Sequence, residues 1–256
     1  MMHSTFSLKH FVLIALSLGV TLSSCKKDDE ETATPSNGGG GGSTPAAPST
    51  TPNFSDADAS LWAVNTFTSQ VTPIGTFDIQ VGVGVGAFTT DGFATMVNVG
   101  AVTLNTTPLT AQSNNAYVST PSQTEPTGID FGSGSTAWSV AGGSGFAGFD
   151  RTITSFNFPT VSAISSAETV VRSNGYTLTT PSVAGADSVL FLVGGVTKTI
   201  AGNANSCTFT ASELGGLGTG ANLVQVAAYR TTNEVIGGKN IYFGKETVRT
   251  KSVTIQ

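Results

Sequence analysis

Apolar and polar residues alternate along the chain from Phe54 onward, and the alternation is clearest just after residue 76. Aspartate, glutamine and glycine occupy every second position there, and the residues between them would share one face of a strand: Phe77, Ile79, Val81, Val83 and Val85. Beyond Phe54, no window of a dozen residues has the period of an amphipathic helix. The pattern therefore predicts an all-β body.

Further strands follow the same rule, with turns rich in Gly, Pro, Asn and Ser between them. A first strand opens at Leu61, and one helical turn is expected at 212–214. The apolar run at 187–194 is typical of a central strand. The other predicted strands are near 93–99, 101–105, 115–119, 136–141, 147–156, 169–172, 175–181, 195–200, 206–211, 222–230 and 239–255.

A boundary is expected near Phe158-Pro159-Thr160. Residues 54–150 contain seven acids and no base, whereas residues 151–256 contain eight bases and five acids. The pieces 54–157 and 158–256 each have about 100 residues, the usual size of one β-sandwich module. The sequence therefore predicts two tandem β-sandwich modules.

The second piece resembles an immunoglobulin-like or fibronectin type III-like module. The resemblance is carried by the apolar strand at 187–194, the short leucine-bearing turn Ser212-Glu213-Leu214, and the strand that ends in Ala227-Ala228-Tyr229. It covers about 100 residues and lacks a tryptophan. The resemblance implies a fold and assigns no functional residue.

The amino-terminal residues have the pattern of a secretory signal. Residues 1–10 contain Lys9 and no acid, and residues 11–22 form a nearly unbroken apolar run. As a helix this run would reach roughly 18 Å, which is too short for about 30 Å of hydrocarbon. Such a run before a cleavage site predicts a signal peptide at 1–24.

The cleavage site resembles the lipobox of bacterial lipoproteins, in which a cysteine is acylated and becomes the first residue of the mature chain. Leu22, Ser23 and Ser24 stand in the aliphatic and small positions before Cys25. The resemblance implies lipid attachment at Cys25. Stable anchoring then comes from several acyl chains, because one chain holds a protein only marginally.

The residues after Cys25 resemble the acidic export signal of Bacteroidota-type surface lipoproteins: Lys26, Lys27, Asp28, Asp29, Glu30 and Glu31. A charged, solvated run is the alternative. The export signal implies an outer-membrane protein that faces the cell exterior. The rest of 25–53, with four prolines and the glycines 38–42, is expected to be a disordered tether.

Composition excludes several classes of function. From residue 54 onward twelve acids face eight bases, so no basic surface for nucleic acid is expected. The only histidines, His3 and His10, lie in the signal, which excludes histidine-based catalysis and histidine metal sites from the mature protein. With Cys25 acylated, Cys207 has no disulfide partner and is expected in the core. We expect no cofactor and no metal.

The glycine run Gly82-Val83-Gly84-Val85-Gly86-Ala87 formally fits a dinucleotide-binding fingerprint. That motif needs a helix directly after it, whereas Phe88-Thr89-Thr90-Asp91-Gly92 predicts a turn. We therefore interpret the glycine face as one on which a ring or another backbone segment packs closely.

The residue types also allow three other chemistries. Asp130 and Asp150 are the best candidates for the two carboxylates of a glycan hydrolase. Asp56-Ala57-Asp58 has a spacing found in calcium loops but lacks the rest of such a loop. Trp62, Trp138 and Tyr117 could stack on sugar rings, although single aromatics on alternating strands are usually core residues.

The sequence therefore predicts a non-catalytic, surface-anchored lipoprotein. It would act in adhesion, in glycan capture or as an accessory of a larger surface complex, with the membrane as partner through its lipid and a glycan or protein as ligand. The alternative is a histidine-free, carboxylate-dependent glycan hydrolase at the cell surface.

Overall fold

A computed structural model of the chain describes residues 54–72 and 75–256. Strands make up 55% of these residues and helix only 4%, so the prediction of an all-β fold is confirmed. The strands are β1 (Ala59–Thr72), β2 (Gly75–Phe88), β3 (Val102–Leu104), β4 (Thr107–Ala111), β5 (Tyr117–Val118), β6 (Thr136–Val140), β7 (Phe149–Ile153), β8 (Thr160–Val161), β9 (Thr169–Val170), β10 (Tyr176–Thr179), β11 (Val183–Ala184), β12 (Ser188–Val193), β13 (Val196–Ala201), β14 (Ser206–Phe209), β15 (Gly220–Ile236) and β16 (Lys239–Ile255).

In the described part of the chain, two helical segments accompany the strands, a 3-10 turn at Arg172–Asn174 and the helix α1 at Ala211–Leu214. Helix α1 is the helical turn predicted from Ser212-Glu213-Leu214. A capping box explains why it forms: the Thr210 hydroxyl accepts from the Glu213 backbone N–H, and the Glu213 carboxylate accepts from the Thr210 backbone N–H. The side chain of Leu214 is fully buried beneath it.

The main sheet runs in the order β13-β12-β15-β16-β1-β2-β5-β4-β3-β6-β7. Its centre consists of two long antiparallel hairpins, β1–β2 and β15–β16. They lie side by side because β1 pairs with β16 in parallel, from Ala59 opposite Ile241 to Thr68 opposite Thr250. The sheet therefore runs without interruption across the boundary that the sequence predicts near Pro159.

Two hydrophobic clusters lie on one face of this sheet, and a third, which includes Trp62, Val64, Leu190 and Val248, lies on the other. The first draws on 59–158 and includes Leu61, Phe88, Leu104 and Trp138. The second draws on 161–228, where β8, β10, β11 and β14 contribute side chains opposite β12 and β15. Strand β16 contributes to both, through Ile241 and Phe243 to the first and Val253 and Ile255 to the second. That 54–157 and 158–256 are separate modules, and that the second is immunoglobulin-like, stay predictions.

Between its two apolar ends, β16 presents alternate polar side chains that we call the β16 ladder: Lys245, Thr247, Arg249 and Lys251. Each donates to a backbone carbonyl of the segment that links the clusters. The acceptors are Phe156 at 2.7 Å, Pro159 at 2.6 Å, Val161 at 3.0 Å and Ser166 at 2.8 Å, in chain order. The linking segment is thus fastened to every second residue of this part of β16.

Lys245 is the most deeply buried member of the ladder. Its ammonium also donates to the carbonyls of Gly134 (2.7 Å) and Ile153 (2.9 Å), and it lies over the ring of Phe156. All three ammonium protons therefore have a carbonyl partner, as a buried charge requires. Burial nevertheless lowers the pKa of Lys245 to about 8.

The glycine face of β2 is packed closely, which confirms our interpretation of that motif. A Cβ at Gly84 would touch the side chain of Leu104, and one at Gly86 would touch Leu61, each at 3.0 Å. At Gly82 a Cβ would overlap the carbonyl oxygen of Ile129. Glycine is needed at this position because another backbone segment lies where a side chain would be.

The strand predicted at 93–99 is wrong. Residues 90–95 form turns, and Met96 makes an isolated bridge with Thr89. Polar side chains impose this geometry, because the Asp91 carboxylate accepts from the Thr95 backbone N–H (2.9 Å) and from the Thr89 hydroxyl (2.8 Å). Phe93 also has a φ of 68°, which a strand does not tolerate.

Candidate functional site

A polar pocket of about 390 Å³ opens beside the turn between β3 and β4. One wall is this turn, and the other is the segment 124–130, which we call the rim segment. The residues that line the pocket are Asn105, Thr107, Thr124, Glu125, Pro126, Thr127, Gly128, Ile129 and Asp130.

The rim segment is held against the glycine face of β2. The Gly82 backbone N–H donates to the Thr127 carbonyl (2.8 Å), and the Ile129 N–H donates to the Gly82 carbonyl (2.9 Å). Gly128 lies directly opposite Gly82, and a Cβ on either glycine would overlap the other strand's backbone. The pocket wall thus depends on two facing glycines.

Asn105 joins the two walls. Its backbone and that of Thr106 have positive φ values of 48° and 68°, which make the tight turn between β3 and β4. The Asn105 side chain accepts from the Ala137 N–H (2.8 Å) and donates to the Asp130 carbonyl (3.3 Å). Because its amide is engaged on both sides, Asn105 positions the rim segment next to β4.

The pocket offers carboxylates and hydroxyls to a ligand. Glu125 and Asp130 supply the carboxylates, and Asp130 Oδ1 accepts from the Gly132 N–H at 2.8 Å, which orients that group. Thr107, Thr124 and Thr127 supply the hydroxyls, and no lysine, arginine or histidine is among the lining residues. Such a lining suits a ligand with several hydroxyl groups and no negative charge.

The predicted carboxylate pair does not meet in this pocket. Asp130 lines it, whereas Asp150 lies in β7 opposite Ser139 of β6 and is not among the lining residues. The acid that accompanies Asp130 is Glu125, which we did not single out from the sequence. The sequence held a sign of it, because Glu125 lies five residues before Asp130 and directly before Pro126-Thr127-Gly128, a run of residue types typical of turns.

The three aromatic candidates for glycan stacking are all buried. Trp138 and Tyr117 belong to the first cluster, and the Tyr117 hydroxyl also accepts from the Val99 N–H at 2.8 Å. Trp62 lies on the opposite face of the sheet, where its ring covers Gly244 and meets Phe54 and Tyr229 edge to face. In this structure no glycan could reach these rings without displacing their neighbours.

The carboxylates of Asp56 and Asp58 bind protein groups. Asp58 accepts from the Asn240 N–H (2.8 Å) and pairs with Lys239 (2.9 Å), and Asp56 accepts from the Tyr242 hydroxyl (3.0 Å). The two acids therefore fasten the start of the body to β16. Within 54–72 and 75–256, no group of three or more acids, cysteines or histidines could hold a metal ion.

Cys207 is the free cysteine of the described residues, and it is buried in the second cluster. Burial raises the pKa of its thiol, which disfavours the reactive thiolate. This agrees with its expected place in the core.

The anchor residues lie outside the described part of the chain. They are the predicted signal peptide, the lipobox residues Leu22, Ser23 and Ser24, the acylation site Cys25, and the charged run Lys26 to Glu31. In the portion that the structure describes, no helix is both long and apolar enough to cross a membrane.

Comparison with known proteins adds no relative. No family model matches the chain, and no curated protein matches it either.

Proposed function

We propose that this chain is a lipid-anchored protein of the outer membrane that faces the cell exterior and captures glycans without cleaving them. The observation that carries the proposal is the polar pocket between the β3–β4 turn and the rim segment. Its threonine hydroxyls and carboxylates can exchange hydrogen bonds with sugar hydroxyls, and its volume falls within the range of small-ligand sites.

The proposed location rests on the sequence. Cys25 follows a lipobox directly behind an apolar run, and an acidic run follows Cys25. The sequence predicts a tether in the 28 residues between Cys25 and Phe54, and a flexible chain of that length spans roughly 30 Å, which would present the pocket to ligands away from the bilayer.

A glycan array tests binding. Residues 54–256, which contain all the described strands, would be compared with Asp130→Asn and Thr127→Ala in the pocket. Asp150→Asn is the matched control, because it removes the same charge away from the pocket. We expect uncharged glycans to bind, roughly tenfold weaker binding in the pocket variants and no change in the control. Absence of binding to every glycan would refute glycan capture.

The alternative is a glycan hydrolase, and one observation favours it. Glu125 and Asp130 line the same pocket, and two carboxylates that flank a sugar are the usual machinery of such enzymes. Incubation with each bound glycan, followed by mass spectrometry, separates the two functions. Products that Asp130→Asn and Glu125→Gln both abolish would establish the hydrolase, whereas unchanged glycan supports capture alone.

A further inference from the structure

Within the described residues, strand β2 has a free edge in its first half. On the side away from β1, neighbours begin only at Gly82, which bonds Thr127 and Ile129, and continue where β5 pairs with Val85 and Gly86. For 75–81, the described chain supplies pairing with β1 alone. This stretch, which we call the β2 edge, is open for another strand.

The residues that follow the β2 edge show which of its backbone N–H and carbonyl groups point away from β1. Gly82 and Gly84 direct their N–H and carbonyl groups outward, to Thr127, Ile129 and Ser119. Because these directions alternate along a strand, the outward groups of the β2 edge belong to Thr76, Asp78 and Gln80. Unpaired groups of this kind are a template for an added strand.

Two apolar side chains of the β2 edge are largely exposed. Phe77 is 51% exposed and Ile79 is 44% exposed, and they are two of the four exposed large hydrophobic residues of the described chain. Both lie on the face that carries Val81. We propose that the β2 edge pairs in antiparallel fashion with the β2 edge of a second copy, with Phe77 opposite Phe77 on the two-fold axis.

Self-pairing allows few registers, and two of them fail. A register centred on Ile79 places residue 76 of the second copy beside Gly82, where Gly128 already lies. A register centred on Asp78 places two carboxylates directly opposite each other, which is unfavourable. The register centred on Phe77 stays clear of the rim segment and leaves Asp78 opposite Thr76 of the second copy.

The Phe77 register also agrees with the backbone directions. The backbone groups of Thr76 and Asp78 point outward. Thr76 of each copy therefore forms a hydrogen-bonded pair with Asp78 of the other copy, and the two pairs give about four backbone bonds. Phe77 is then a non-hydrogen-bonded pair with Cα atoms about 4.5 Å apart. The two rings cover each other there, and cross-strand aromatic pairs are among the favourable ones.

The contact is small, since about four bonds compare with about ten in a typical interface. We therefore expect a weak dimer in dilute solution and more dimer at high protein concentration. Crowding of anchored copies in one membrane would raise the effective concentration further.

Disulfide trapping tests both the partner and the register. The full-length chain with Cys25→Ala leaves buried Cys207 as its other cysteine, and Phe77→Cys is then added. A cysteine pair at about 4.5 Å fits disulfide geometry, so mild oxidation should give a covalent dimer. Ile79→Cys is the matched control, because it is similarly exposed but would face Gly75 of the second copy.

We expect roughly tenfold more covalent dimer from Phe77→Cys than from Ile79→Cys. Sedimentation of the chain with Cys25→Ala alone should show a concentration-dependent dimer that Phe77→Lys removes without lowering the melting temperature. Equal trapping of the two cysteine variants, or a chain that stays monomeric at high concentration, would overturn the proposal.

Discussion

Replacing Gly82 with alanine tests how the pocket wall is held. The added Cβ would overlap the Ile129 carbonyl oxygen, well inside the 3.0 Å below which real Cβ contacts are essentially never seen. The Ile129 carbonyl is backbone and the Cβ position is fixed by the backbone of residue 82, so neither atom can rotate away. The rim segment must then separate from β2, and the two hydrogen bonds that Gly82 makes to Thr127 and Ile129 are lost.

The size of the effect can be worked from these contacts. Two backbone hydrogen bonds contribute about 2 kcal/mol, and loosening the buried side chains of Ile129 and Phe131 costs about 1–3 kcal/mol more. Alanine offsets about 0.5–1 kcal/mol of this, because it loses less backbone freedom on folding than glycine. We expect a net loss of about 2–4 kcal/mol in the free energy of unfolding.

Urea unfolding of residues 54–256 measures this loss. With a slope of about 2 kcal/mol per molar urea, the midpoint should fall by roughly 1–2 M. Gly216→Ala is the matched control, because a Cβ there meets no heavy atom within 4 Å. A midpoint for Gly82→Ala equal to that of the control would show that the rim segment does not depend on Gly82. Glycan binding should also weaken in Gly82→Ala, since the wall that carries Asp130 moves.

Four further outcomes are expected. Burial raises the pKa of Glu246 to about 8, so the free energy of unfolding should fall as pH rises from about 4.5 to 8. The lowered pKa of Lys245 should make the free energy of unfolding rise again from about pH 8 to 10.5. A urea midpoint that has no minimum near pH 8, or whose pH dependence below pH 8 is the same in Glu246→Gln, contradicts this. Cys25→Ala should abolish labelling by a clickable palmitate analogue, and persistent label would rule out the lipid site. Alanines at residues 26–31 should keep the label but lose surface exposure, and equal protease shaving of mutant and parent cells would make the run a solvated linker. Residues 158–256 expressed alone should show strand-type circular dichroism and a cooperative melt if the two pieces are separate modules, and insolubility of that fragment beside a folded 54–256 would refute them.

Local patterns predicted elements well where one side of a strand is buried. The prediction of 239–255 matches β16, because its apolar ends and alternating middle reflect a real difference between the two faces. The prediction at 93–99 failed because the side chains of Thr89 and Asp91 hold the backbone in turns. Phe93 and Val99 are buried there from irregular structure, in two different clusters. Hydrophobic periodicity alone does not show where side-chain hydrogen bonds to the backbone compete with strand formation.

Long-range pairing was beyond the sequence. Strands β1 and β16 pair in parallel although they are about 180 residues apart in the chain. No short turn connects them, so no local sequence signal predicts this pairing. Only part of the pocket could be predicted from the sequence: Asp130 was named as a candidate residue, whereas Asn105 and Glu125 were not. Asn105 reads as an ordinary turn residue, and its role depends on a carbonyl 25 residues later in the chain.

The position of β1 determines how the body would respond to tension. If the amino terminus is tethered to a membrane and a ligand is held elsewhere on the body, the pulling force enters the sheet along β1. That strand has β2 on one side and β16 on the other, so its cross-strand bonds would be sheared together instead of being unzipped one at a time. Asp56 and Asp58, fastened to the start of β16, would resist peeling at the point of entry. The fold therefore has the geometry of a mechanical clamp, in which rupture requires many bonds to fail at once.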